Sequence, residues 1–259
     1  MTVRFDFHGK TALVTGASRG IGFEVARRFA EAGARVFALA RQEGIEEVAR
    51  RIAEETGADV RAVRCDVAER AAVAEAVGGI DRIDILVNNA GLERPTPMAE
   101  QGSGVEDLFD RIMEVNVGGT YAVTRQALER MGAGGRVILS SSIWGKTAVA
   151  GFSAYCASKH ALIGLVRVWA KELGPRGMTV NAVCPGWVET DSSLRTLGVM
   201  AAERRVSPES LLEEIVAAQA IGGLMRPVDV AGVYLFLASS AAADITGQVI
   251  NVDRGEVMW

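Results

Sequence analysis

The chain has 259 residues, 49% hydrophobic and 23% charged, which is enough apolar material for a sizeable core and excludes a disordered polypeptide. Its 28 basic and 32 acidic residues leave a net charge of −4, which argues against a nucleic-acid partner or a basic membrane-facing surface. No run of about 18 apolar residues is present, so no transmembrane helix is expected, and residues 1–10 contain no apolar leader segment.

Thr11–Thr15 reads as a short buried strand, followed by a helix over 21–32 that closes at Gly33. Arg35–Ala40 is a second strand, Ile45–Thr56 a charged amphipathic helix ending at Gly57, and 60–65 a third strand. A helix over 68–77 and a strand over 83–87 come next. Residues 105–131 read as one long helix, with Gly118-Gly119 inside it as a point of close packing. Arg136–Ser140 is the fifth strand, Ser153–Leu173 a helix and 178–183 the sixth strand. Helices over 207–220 and 228–238 precede a last strand over 248–252. Strands alternating with helices predict an α/β fold, a doubly wound parallel sheet covered on both faces. No repeat or linker divides the chain, so residues 1–259 are read as a single domain. The least regular stretch, 190–208, is expected to be a loop that closes over a substrate.

The three cysteines, Cys65, Cys156 and Cys184, are far apart in sequence and make no CxxC pair, which fits a reducing cytoplasm. With only His8 and His160 as imidazoles, no metal site or histidine triad is expected.

Gly16-Ala17-Ser18-Arg19-Gly20-Ile21-Gly22 joins the first strand to the first helix. Such a turn brings backbone close to a ligand, and the helix start offers unpaired N–H groups to a pyrophosphate. The second strand ends at Ala40-Arg41, with no acid at its tip to hold a ribose 2′-hydroxyl, although Glu43 is near. Arg41 and Arg19 are suited to clamp a 2′-phosphate, which favours NADP(H) and leaves NAD(H) as the alternative. Tyr155 and Lys159 stand four residues apart, one face of a helix apart by a single turn. A cation so placed lowers a phenol's pKa from its ordinary value of about 10, so the pair forms an acid/base device.

The glycine turn, Asn88-Asn89-Ala90-Gly91, Ser142 with Tyr155 and Lys159, and Pro185-Gly186 occur in this order, and together they resemble the short-chain dehydrogenase/reductase family from Lys10 to Asp253. The resemblance implies a Rossmann-like sheet of about seven strands, a nicotinamide cofactor and reversible hydride transfer between a ketone and a secondary alcohol. It implies that Ser142, Tyr155, Lys159 and Asn116 are catalytic. It further implies that Gly16, Ser18, Arg19, Gly20, Ile21, Gly22 and Arg41 hold the phosphates and ribose. Asp66 and Val67 would border the adenine, and Asn89, Ala90 and Gly91 the middle of the cofactor. Pro185, Gly186, Val188 and Thr190 would hold the nicotinamide amide. One departure is Val252-Asp253-Arg254-Gly255, where Arg254 replaces a glycine of the family pattern. Cys156 stands where a small residue is common in the family.

Leu92, Glu93, Trp144, Trp187 and the stretch around Leu194 are placed to face a largely apolar substrate; the two tryptophans serve equally as packing residues. The family implies a homotetramer, with a dimer as the alternative. Two other functions stay open: reduction of carrier-bound 3-oxoacyl chains, for which Arg125, Arg130 and Arg176 supply positive charge, and a non-catalytic nucleotide sensor on the same fold.

Overall fold

Alternate residues of a strand face opposite sides of its sheet, and the first strand shows how both sides are used. In β1 (Thr11–Thr15), Ala12 and Val14 enter one hydrophobic core while Leu13 enters another, and all three are fully buried. The computed structural model describes residues 4–100 and 102–259, and the reading of residues 1–10 as free of a leader lies in part outside them.

The chain continues through α1 (Gly20–Glu31), β2 (Arg35–Ala40), α2 (Ile45–Thr56), β3 (Val60–Arg64), α3 (Arg70–Gly78) and β4 (Ile85–Asn88). Then follow α4 (Ser103–Met113), a π-helical turn (Glu114–Gly119), α5 (Thr120–Ala127), β5 (Arg136–Ser140) and α6 (Ser153–Leu173). The last elements are β6 (Thr179–Pro185), α7 (Asp191–Arg204), α8 (Pro208–Ala217), α9 (Pro227–Ala238) and β7 (Val249–Val252). The seven strands form one parallel sheet in the order β3-β2-β1-β4-β5-β6-β7. Phe29 of α1, Ile52 of α2 and Tyr234 of α9 pack on one face; Val73 of α3, Val123 of α5 and Val166 of α6 pack on the other. The strand order reverses between β1 and β4, and the carboxyl ends of these strands open a crevice there.

Two expectations are corrected. The stretch 105–131 is not one α-helix: the π-helical turn at Glu114–Gly119 interrupts it, because the Asn116 side chain turns to the backbone of the loop after β4. Of the two glycines in that turn, Gly119 is packed so closely that a Cβ would come within 2.6 Å of Val67, while Gly118 faces open space. The stretch 190–208 is not irregular. Most of it is α7, and its weak hydrophobic periodicity concealed a good start signal: Thr190 accepts from the Ser193 N–H, and the Ser193 hydroxyl accepts from the Thr190 N–H. Among the described residues no helix is long and apolar enough to cross a membrane.

Candidate active site

The turn after β1 is built on close approach. Gly16 has φ +68°, and a Cβ there would lie 2.8 Å from the Ala90 backbone. A Cβ on Gly22 would come within 2.3 Å of both the Asn89 side chain and the Gly16 carbonyl. Asn89 holds this junction by donating to the carbonyls of Thr15 (3.2 Å) and Gly16 (3.3 Å). The Thr15 hydroxyl accepts from the Asn89 and Ala90 N–H groups at 3.0 Å each. Gly22 is therefore required by packing between β1 and β4. At the start of α1 no side chain caps the helix and no acidic residue occupies its first turn, so its N–H groups and positive dipole end are left for an anion.

A cleft of about 700 Å³ runs from this turn across the sheet. Of the sequence-derived cofactor residues, Gly16, Ser18, Arg19, Gly20, Ile21, Arg41, Asp66, Val67, Asn89, Ala90, Gly91, Tyr155, Lys159, Pro185, Gly186, Val188 and Thr190 all line it, and Gly22 does not. The acid near the tip of β2 is already engaged, since Glu43 pairs with Arg64 at 2.9 Å. Arg41 is exposed at the cleft and makes no ion pair among the described residues; Arg19 stands 3.9 Å from Asp191. Uncapped backbone donors, two arginines and a cleft of this size fit a dinucleotide bearing a 2′-phosphate. Asp66 accepts from the Ala68 N–H at 3.1 Å and from Arg111 at 2.6 Å. Arg111 was missed by sequence reasoning, because an arginine inside a predicted helix carries no signal of its own.

At the far end of the cleft, the end of β5 and the two residues after it supply Ser140, Ser141 and Ser142, and α6 delivers Tyr155 and Lys159 on one face. The Lys159 Nζ donates to the Ser140 carbonyl at 2.8 Å, and the Ser141 hydroxyl donates to the Lys159 carbonyl at 2.9 Å. A Cβ on Gly91 would lie 3.5 Å from the Asn116 Oδ1 and 3.6 Å from the Lys159 Nζ, so these groups cluster behind the β4 turn. Asn116 is 1% exposed; it donates to the Leu92 carbonyl (3.0 Å) and the Ser158 hydroxyl (2.9 Å) and accepts from the Leu92 N–H (2.7 Å). Beneath them lies the fully buried Tyr234, whose hydroxyl is 2.7 Å from that of Ser140. Neither Ser158 nor Tyr234 was legible as part of this network from sequence.

The electrostatics correct one expectation. Burial pushes the Tyr155 phenol well above its ordinary range, the Glu93 carboxylate adds to this, and the Ser142 hydroxyl pulls the other way. Burial holds Lys159 down to about 8, opposed by Glu93. The lowering of Tyr155 by Lys159 is therefore not what these side chains alone produce: desolvation is the largest influence on the buried phenol. Burial likewise raises the Cys156 thiol, in keeping with a packing role.

A smaller cavity of about 60 Å³ adjoins Tyr155 and Ser142, walled by Glu93, Ile143, Trp144, Gly186, Trp187 and Ser193. Trp144 stands edge-on to Tyr155 (88°, centroids 6.0 Å apart) and to Trp187 (85°, 5.8 Å). Trp144 and Trp187 thus both wall this cavity, and Trp187 also packs with Leu197, Ala201 and Leu211. Leu194, expected to face substrate, is 46% exposed and lines neither cavity; Ser193 takes that wall. Arg125, Arg130 and Arg176 donate to local groups and also line neither cavity.

A family model described as enoyl-(acyl carrier protein) reductase matches residues 16–256. The 3-oxoacyl-(acyl-carrier-protein) reductase of Aquifex aeolicus is 35% identical over 98% of this chain and 99% of its own. An Escherichia coli protein called a cyclic-di-GMP-binding biofilm dispersal mediator is 38% identical over 95% and 97%. Among solved structures, a variant of the actinorhodin polyketide ketoreductase with NADPH superposes with a TM-score of 0.89 at 35% identity, covering 96% of this chain and 98% of that one. With the seven-stranded order, the glycine turn, and Ser142, Tyr155 and Lys159 gathered at one cleft, these similarities place the chain in the short-chain dehydrogenase/reductase family of oxidoreductases.

Proposed function

We propose that this protein transfers a hydride between NADP(H) and a ketone or secondary alcohol. The observation that carries the reading is a single cleft lined at one end by the phosphate turn and Arg41, and at the other by Ser142, Tyr155 and Lys159. The NADPH in the actinorhodin relative and the engagement of Glu43 by Arg64 support the phosphorylated cofactor.

Bound nicotinamide would supply the hydride and, once oxidised, a positive charge. Ser142 donates a hydrogen bond to the substrate oxygen and steadies the charge that develops there. Tyr155, kept as the phenol by burial, gives that oxygen its proton in reduction and takes one by the reverse step in oxidation. Lys159 fixes the ribose end of the cofactor and contributes its charge to the phenol. Asn116 is a positioning residue that ties the β4 loop to Ser158, one residue before Lys159. Residues 190–208, largely α7, act as the lid. Exposed Phe109, Tyr121 and Val168 on α4, α5 and α6 support self-assembly as a homotetramer, which light scattering tests.

Two readings compete. The Aquifex relative's name favours a carrier-bound 3-oxoacyl substrate, and the Escherichia coli relative's name favours nucleotide sensing. The sensor reading leaves the proton donor without use. NADPH oxidation with a panel of small ketones, an acyl-carrier thioester and no substrate, run beside NADH, separates all three. No oxidation with any ketone overturns the proposed function.

A further inference from the structure

Resting on the ketone-reductase reading of this site, we propose that Glu93 selects the charge of the substrate, favouring amino ketones and amino alcohols and turning away carboxylates. Glu93 is the one carboxylate, ammonium or guanidinium among the described residues lining the small cavity beside Tyr155 and Ser142. Its Oε1 accepts from the Thr196 hydroxyl at 2.6 Å, and its Oε2 lies 3.4 Å from the Ser192 hydroxyl. These donors are neutral, and among the described residues no cation stands within 4.0 Å of the carboxylate. The adjacent Arg94 turns its guanidinium to the Glu93 backbone carbonyl at 2.7 Å. The negative charge is thus held in place by hydrogen bonds with no cation in direct contact, while Lys159 and Arg94 feel it from further away.

Its influence reaches the reacting groups, since it pushes up both Tyr155 and Lys159. Reduction places growing negative charge on the substrate oxygen, and an unpaired carboxylate nearby opposes that growth. An ammonium on the substrate offsets the opposition, and a substrate carboxylate adds to it. The aromatic walls, Trp144 and Trp187, accept the apolar body of such a substrate. A carboxylate at this position therefore serves specificity rather than proton transfer.

The test is calorimetric titration of the NADPH-loaded enzyme, whose nicotinamide is uncharged, with three probes of similar size that it cannot reduce: benzylammonium, benzyl alcohol and benzoate. Benzylammonium is expected to bind at least ~10-fold tighter than benzoate, with the alcohol between them. In Glu93→Gln, which keeps an acceptor for Thr196, the gap is expected to shrink to ~2-fold. Glu93→Asp retains the charge and is expected to preserve the gap. Benzoate binding as tightly as benzylammonium in the unmodified enzyme overturns the proposal, as does a gap that survives Glu93→Gln. NADPH oxidation with neutral aryl ketones is a separate readout; its failure removes the oxidoreductase reading and leaves the binding ratio to be judged by itself.

Discussion

The Lys159 ammonium nitrogen lies 5.4 Å from the centre of the Tyr155 ring and donates its hydrogen bond to the Ser140 carbonyl. The pair is thus an arrangement in which the lysine is anchored to β5 and the phenol faces Ser142 at the end of the cleft.

Replacement of Tyr155 by Phe removes the proton donor and leaves the phosphate turn untouched. Turnover is expected to fall by roughly 10²–10⁴, the usual worth of a positioned acid. NADPH affinity, read by fluorescence titration, is expected to stay within ~3-fold. Near-normal kcat would remove Tyr155 from the chemistry.

Arg41→Ala separates the two cofactors. Loss of one charge-assisted contact to a 2′-phosphate is expected to weaken NADPH by ~10–100-fold. NADH, with no phosphate at that position, is expected to change by less than ~3-fold. Equal losses would show that Arg41 serves the protein and not the phosphate.

The pH dependence has a defined sign. Lys159 is held down to about 8 by burial, so its ammonium is present below that pH and lost above it. Tyr155 is held up by burial, so the phenol stays protonated through the same window. Reductive kcat/KM is expected to fall by ~10-fold per pH unit above about 8. Glu93 opposes the depression of Lys159, so Glu93→Gln moves the falling limb to lower pH. A limb that rises in that variant, or none at all between about pH 6 and 10, contradicts the assignment of the limb to Lys159.

The two glycines of the π-helical turn are expected to respond in opposite ways. Gly119→Ala places a methyl within 2.6 Å of Val67 and is expected to destabilise the protein by ~1–3 kcal/mol. Gly118→Ala meets nothing within 4 Å and is expected to stabilise it by ~0.5–1 kcal/mol through reduced freedom of the unfolded chain. Urea midpoints of the two variants check both signs.

Strands such as β1 and β5 were legible because fully buried strands read as short apolar runs bounded by turns, and α2 because a charged helix with a terminal glycine has both periodicity and a stop signal. Gly57 does adopt φ +71° at that stop. The cofactor cleft was legible because glycines, arginines and the Tyr155–Lys159 spacing each carry chemistry in their side chain or lack of one. What was hidden depends on partners distant in sequence. The break in the 105–131 helix is caused by Leu92, and the role of Gly22 by Asn89. The direction of the Tyr155 shift depends on burial, which spacing does not report. Arg254 belongs to the same class: it takes φ +58° in a glycine's place, and its guanidinium donates to the Gly222 carbonyl at 2.6 Å.

A wide turn of the type at Glu114–Gly119 carries one residue more than the α-helix it interrupts, and one residue is ~100° of rotation about the axis. The insertion therefore works as a phase shifter between α4 and α5: it aims Asn116 inward while letting Val123 and Ala127 meet the sheet. Deleting a single residue there would straighten the rod and swing one of those two faces into water.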